Sequence, residues 1–154
     1  MKVRHGLLAL ICLAVAACAG APPPPPPARV VGDIQASATL NPAPNGQALP
    51  LRLRLYELRS PTAFQNRDFF SLWDKAQATL GVDLVGTEEY VVQPGATLHF
   101  ERQLDGQTHQ VGFIAAYRDI NGAIWRQVVE IRPNTTQTLN VQLGAKALSV
   151  TASR

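Results

Sequence analysis

Cys18 is the residue of this chain whose chemistry is most sharply framed by its neighbours. It follows Val15-Ala16-Ala17 at the end of an apolar run that opens with Lys2 and Arg4. A basic start, a short apolar stretch and small residues before a thiol make a lipobox, because small side chains fit the narrow cleft of a signal peptidase. Cleavage before Cys18 makes it the first residue of the mature chain, acylated on sulfur and then on nitrogen. The charge-free run from Gly6 to Ala17 has 12 residues, short of the roughly 20 that a spanning helix needs. An ordinary secretory leader with an incidental cysteine, or a membrane-spanning anchor, are the alternatives. Each buried CH2 contributes about 0.8 kcal/mol, so two or more acyl chains hold a protein stably where one does not. The residue after the cysteine is Ala19 and not the aspartate common in lipoproteins kept at the inner membrane, which favours the outer membrane, on its periplasmic side.

Other reactive side chains are sparse. His99 and His109 are the histidines left after processing, and a two-residue turn at Asp105-Gly106 would put them on opposite faces of a hairpin, unable to share a metal. Glu88-Glu89 with Asp83 could pair as acid and base, but adjacent carboxylates near a turn more commonly form a solvated face. There is no Gly-x-Ser-x-Gly elbow, no His-Glu-x-x-His helix and no phosphate-cradling glycine loop. The expectation is a non-enzyme without metal, its only cofactor-like group being covalent lipid on Cys18. A small-ligand or carbohydrate binder that uses exposed aromatics is the alternative, and a pocket joining Trp73 with Tyr90 or Trp125 would favour it. Arg118 and Arg126 could hold a partner carboxylate or pair internally with Asp119 or Glu130.

Composition narrows the partners. Without Lys2 and Arg4 the fourteen basic residues become twelve against eleven acidic ones. The remaining Lys and Arg form no stripe, so no nucleic-acid footprint is expected. Cys12 is lost with the leader, which leaves no disulfide framework and no thiolate metal site. An apolar core must hold the fold.

Six prolines from Pro22 to Pro27 follow the cysteine. Proline fixes φ and favours a polyproline II rod of about 3.1 Å per residue, so the run reads as a stalk of about 19 Å. The expected organisation is a signal peptide over 1–17, a lipidated linker over 18–30 and one domain over 31–154.

The elements that must position any site read as β-structure. Ile34 to Leu40 is the expected first strand, followed by the turn formers Asn41, Pro42, Ala43, Pro44, Asn45, Gly46 and Gln47. Leu51, Leu53 and Leu55 alternate with Arg52, Arg54 and Tyr56, the period of a half-buried strand. Ser60-Pro61 resembles a helix start. Phe69, Trp73, Ala76 and Leu80 recur at helical spacing before Gly81; the aromatic stripe Phe64, Phe69, Phe70 and Trp73 suits packing onto a sheet, with a ligand box as the alternative. Pro94-Gly95 turns the chain into Leu98, Phe100, Arg102 and Leu104, which alternate up to Asp105-Gly106, a two-residue hairpin signal pairing Phe100 with Val111. Asp119-Ile120-Asn121-Gly122 fits a three-residue loop closing on a left-handed glycine, with Tyr117 opposite Trp125, Phe113 opposite Val129 and Val111 opposite Ile131. Gln137 to Leu143 and Ala147 to Thr151 complete a β-sandwich with one helical excursion.

Leu55-Tyr56-Glu57-Leu58, Phe69-Phe70-Ser71-Leu72-Trp73, Leu80-Gly81-Val82-Asp83-Leu84, Pro94-Gly95, Val111 to Asp119 and Ile124-Trp125-Arg126, in this order and spacing, resemble the TssJ family. These are outer-membrane lipoproteins of the type VI secretion membrane complex. The resemblance runs from Cys18 to about Leu143. It implies an all-β, transthyretin-like β-sandwich with a short helical insertion. It also implies a TssM-like inner-membrane protein as partner, held by its periplasmic domain, and a place in the inner leaflet of the outer membrane. The partner contact that it implies is the loop between the first two strands, here Asn41, Pro42, Ala43, Pro44, Asn45, Gly46, Gln47 and Ala48. The six-proline leader departs from the family pattern.

Overall fold

A computed structural model describes residues 26–153. Cys18, the signal peptide and the first four prolines of the stalk lie outside the described residues. Two four-stranded sheets face each other. The first has the order β4 (Thr97–Gln103), β1 (Arg29–Ala36), β7 (Thr136–Leu143), β8 (Leu148–Ser153). The second has the order β3 (Leu84–Val92), β2 (Leu51–Leu58), β5 (Gln110–Ala115), β6 (Arg126–Glu130). Val30, Ile34, Leu53, Leu55, Val111, Phe113, Leu139 and Val141 are fully buried between them. Strand alternation sends these residues to one face, and their removal from water is the main stabilising term, the described residues containing no cysteine.

β1 differs from expectation at both ends. It begins at Arg29, because it is sandwiched between antiparallel β4 and parallel β7 and pairs with both along its length. It ends at Ala36, because Ser37 Oγ takes the Thr39 N–H at 3.1 Å and the Ser37 carbonyl takes the Leu40 N–H at 3.1 Å. That local turn competes with the ladder and turns the chain out of the sheet.

The helical excursion is three short helices: α1 (Thr62–Asn66), α2 (Phe69–Asp74) and α3 (Ala76–Leu80). The single helix suggested by Phe69, Trp73, Ala76 and Leu80 breaks at Lys75. Its carbonyls are taken from the side: Ser71 O by Thr79 Oγ1 at 2.7 Å, Leu72 O by the Tyr56 hydroxyl at 3.0 Å and Trp73 O by Arg54 at 2.6 Å. With those acceptors satisfied by side chains, continuation of the helix gains nothing. Gly81, at φ +55°, closes α3 as expected.

The helices cover the outer face of the second sheet, where Tyr56, Leu58 and Ile114 meet Phe64, Leu72 and Leu80 in a second core. Tyr56, expected on a half-exposed face, is therefore fully buried. The tip of the Phe64 ring lies over Gly112 of β5, where an added Cβ would sit 2.5 Å from the ring. Phe64 is itself fully buried and cannot swing aside. Gly112→Ala is therefore expected to cost about 1–3 kcal/mol through overpacking, read as a lower urea midpoint. An unchanged midpoint would show that the insertion yields.

One strand is additional to those expected, and two further expectations are corrected. β3, an edge strand, was not legible, because Gly86, Thr87, Glu88 and Glu89 interrupt its apolar pattern. Asp105-Gly106 is not a hairpin: β4 pairs with β1 in one sheet and β5 lies between β2 and β6 in the other. Phe100 consequently faces Phe113 across the sandwich, with centroids 6.5 Å apart. The β5–β6 register pairs Val111 with Val129 and Phe113 with Gln127. This is two residues from the expected one, so each side chain keeps its expected face. The connection is longer than a three-residue loop. Gly122 is not left-handed; Asp119 instead caps a 3-10 turn over Ile120–Gly122 by accepting the Gly122 N–H.

Candidate functional site

β1, β3, β5 and β7 run in one direction and β2, β4, β6 and β8 in the other. The β1–β2, β3–β4, β5–β6 and β7–β8 connections therefore gather at one end of the sandwich, where the Gly95 N–H of the β3–β4 turn donates to Ser37 O at 3.1 Å. The chain enters at Pro26, at the opposite end, beside the β4–β5 and β6–β7 connections.

Asn41 joins three of these four, β1–β2, β5–β6 and β7–β8. Its side-chain Nδ2 donates to Pro50 O at 3.0 Å, its Oδ1 accepts the Arg118 N–H at 2.8 Å, and its own N–H donates to Ala145 O at 3.2 Å. It is buried and sits at φ +47°, a conformation that asparagine tolerates better than most residues. Its amide is committed internally, so within the expected segment Asn41 is a fastening and not a contact surface. Beyond it, Ala43 N–H donates to Gln47 O and Gly46 N–H to Ala43 O, both at 2.8 Å, while Asn45 Oδ1 accepts the Gln47 N–H at 3.1 Å. These bonds hold the tip in one shape, with Pro44, Asn45, Gly46 and Gln47 exposed and Pro42, Ala43 and Ala48 half-buried.

Between this loop and the other two lies an open concavity of about 570 Å³, lined by Pro42, Ala43, Pro44, Arg118, Asp119 and Lys146. Lys146 Nζ lies 2.7 Å from Asp119 Oδ2. That ammonium, with the Gly122 N–H, holds the Asp119 carboxyl below the usual carboxylate range. Arg118 is exposed and makes no ion pair among the described residues; the expected pairing with Asp119 is made by Lys146 instead. Lys146 was not picked out from sequence. Its signal is weak, a lone lysine in a Gly-Ala-Lys-Ala turn.

Arg126 is internal, as one of its two readings had it, but its partners are carbonyls. Its Nη1 donates to Phe64 O at 2.7 Å and Arg67 O at 2.8 Å, and its guanidinium lies over Trp125. It thereby staples α1 to β6.

The remaining candidates do not assemble a reactive centre. Neighbouring Glu88 and Glu89 point to opposite faces of β3: Glu88 meets Arg102, 2.9 Å away, and Glu89 meets Arg52 and Arg54. His99 pairs with Asp33 across β4 and β1 at 2.9 Å, whereas His109 lies in the β4–β5 crossover. Among the described residues no group of three His, Cys, Asp or Glu is placed to hold a metal. The space between Trp73 and Trp125 is filled by the Phe69 ring, stacked on one at 5.5 Å and edge-on to the other at 5.5 Å. Tyr90 packs on Phe100 inside the sandwich. The aromatic pocket that would mark a ligand binder is not formed by these residues.

Residues 28–146 match the family described as type VI secretion lipoprotein (T6SS-SciN; VasD, EvfM, TssJ). Among solved structures, the chain is similar to the T6SS lipoprotein TssJ1 from Pseudomonas aeruginosa. The two are 50% identical, with 84% of this chain and 98% of that one covered and a TM-score of 0.81. It is also similar to Serratia marcescens Lip, a membrane-bound component of the type VI secretion system, at 25% identity, with 80% and 96% covered and a TM-score of 0.74. A chain in the structure of the T6SS protein TssM C-terminal domain from EAEC shares the fold at 23% identity, with 80% and 97% covered and a TM-score of 0.64. No curated protein matches the sequence.

Proposed function

We propose that this chain, which belongs to the TssJ family of type VI secretion lipoproteins, is a tether. In this reading acyl chains on Cys18 hold it in the inner leaflet of the outer membrane, and the proline run projects the sandwich into the periplasm. The β1–β2 loop then grips the periplasmic domain of a TssM-like protein rooted in the inner membrane. The observation that carries this reading is the placement of the loop relative to the chain entry. β1 alone separates them: eight residues at about 3.3 Å each put the loop about 26 Å beyond the anchor end. A contact surface at the end away from the lipid is where a partner arriving from the opposite membrane meets the domain. The strand between the two attachment points is already extended, so a pull along it has little slack to take up.

The test is a pull-down of the periplasmic part of the co-encoded TssM-like protein by the acylated chain in detergent. Residues 42–47 are replaced by a Gly/Ser linker and Asn41 is kept, since Asn41 fastens the neighbouring connections. The exchange is expected to leave the unfolding temperature within about 3 °C, because the replaced tip is largely exposed, and to remove most of the bound partner. Full retention of the partner by a folded, loop-exchanged chain would contradict the assignment of the site.

A further inference from the structure

We propose that the groove between the β1–β2 loop and Arg118 is a carboxylate-reading site, and that it takes an extended acidic segment of the partner with Arg118 as its anchor. The inference rests on the tethering role and gives its contact surface a chemistry and a second wall.

Asn41 makes the wall rigid. Its Oδ1 holds the backbone N–H of Arg118 at 2.8 Å, while its own backbone begins the loop. The loop and the arginine therefore keep a fixed spacing, and no ordering of the loop is needed at the moment of binding, which is the condition for a preorganised site. One side of the groove is Pro42, Ala43 and Pro44, an apolar surface with little side-chain entropy to lose.

The opposite side is charged in a particular way. It carries two cations and one anion, and the anion is already taken: Asp119 binds Lys146 at 2.7 Å. That leaves the Arg118 guanidinium exposed and without an ion-pair contact among the described residues, its charge felt by Asp119 only at longer range. A guanidinium presents donors in a planar fork that fits a carboxylate with two hydrogen bonds, a geometry that lysine lacks. A partner segment with a carboxylate and a neighbouring apolar side chain is complementary to both walls. A basic segment would meet Arg118 and find Asp119 occupied.

The experiment measures the affinity of the acylated chain in detergent for the periplasmic part of the TssM-like protein by interferometry, at two salt concentrations. Arg118→Glu is expected to weaken binding at least tenfold and Arg118→Lys about two- to fivefold. Asp119→Asn removes the competing anion but keeps an Oδ1 acceptor for the Gly122 N–H, and is expected to tighten binding a few-fold. Loss of fold cannot mimic an effect of that sign. Wild-type binding is expected to fall as salt rises, and Arg118→Ala to lose most of that dependence.

Wild-type binding that the Gly/Ser loop removes but Arg118→Glu leaves within twofold would overturn this proposal and leave the tether standing. Absence of any wild-type binding would overturn both. Self-association of the chain alone that Arg118→Glu abolishes would assign the groove to a second copy and so contradict the acidic partner.

Discussion

Cys18→Ala, expressed behind a general secretory leader cut just before residue 18, is expected to move nearly all of the protein from the membrane fraction to the soluble periplasmic fraction. Its unfolding temperature is expected to stay unchanged. The leader exchange matters because an uncut native leader would keep its own apolar run of 12 residues and could hold the precursor at a membrane. The two readouts separate because the domain does not draw on the anchor. Its core begins with Ala28 and Val30, and β1 with Arg29, all downstream of the proline run. In the proposed tether, stable attachment rests on acyl CH2 groups at about 0.8 kcal/mol each, so loss of the thiol removes the whole of that affinity. Fractionation and partition into a detergent phase check the first expectation, and a thermal melt checks the second. Retention of the alanine variant in the membrane fraction, with the leader cut, would show that another surface carries the attachment.

Glu57→Ala is expected to destabilise the domain by about 3 kcal/mol, a drop of roughly 10 °C in unfolding temperature for a domain of this size. Glu57 is the buried charge of the sandwich, its side chain only 4% exposed. Its Oε1 accepts from Arg102 Nε at 2.6 Å, and its Oε2 from Asp105 N–H at 2.9 Å and Thr108 Oγ1 at 2.8 Å. One carboxylate in β2 thus ties down β4 of the other sheet and the crossover that joins β4 to β5. Removing it strands the Arg102 guanidinium, with Glu88 as its remaining partner, and leaves the buried Thr108 hydroxyl and the Asp105 N–H unsatisfied. Arg102 is partly open to water, at 26%, which places the expected cost at the low end of that for a broken buried pair. The clamp sits at the chain-entry end of the sandwich, where the proposed load enters. A melt within about 2 °C of wild type would show that water replaces the carboxylate at little cost.

This clamp also explains where sequence reading stops. Asp105-Gly106 supports a hairpin or a crossover equally well by local chemistry. The choice is made by Glu57, 48 positions earlier, and by the pairing of β4 with β1. A glutamate inside Leu55-Tyr56-Glu57-Leu58 was the available signal, since an acidic residue in an apolar strand needs a partner. Period-two patterning survived better: the β5–β6 register moved by two residues, yet Val111 and Phe113 still face the core. The helical insertion was legible as helix and not as three pieces, because the break at Lys75 depends on Arg54, Tyr56 and Thr79 reaching backbone carbonyls. β3 was missed because the same interruption that hides it, Glu88-Glu89, serves three arginines of neighbouring strands. At the candidate site, turn-forming residues marked the Asn41–Gln47 part of the loop but not its start after Ala36. That Asn41 fastens it and that Lys146, and not Arg118, makes the ion pair with Asp119 are properties of the assembled end.

The most direct test of the tether is photo-crosslinking in cells that assemble the secretion machine, with a photoreactive residue at Asn45 on the loop tip or at Gly106 at the chain-entry end, both exposed. A tether through the loop gives an adduct between position 45 and the TssM-like protein and none from position 106. An adduct from position 106 with none from position 45 would contradict it, because the partner would then meet the domain at its membrane-facing end.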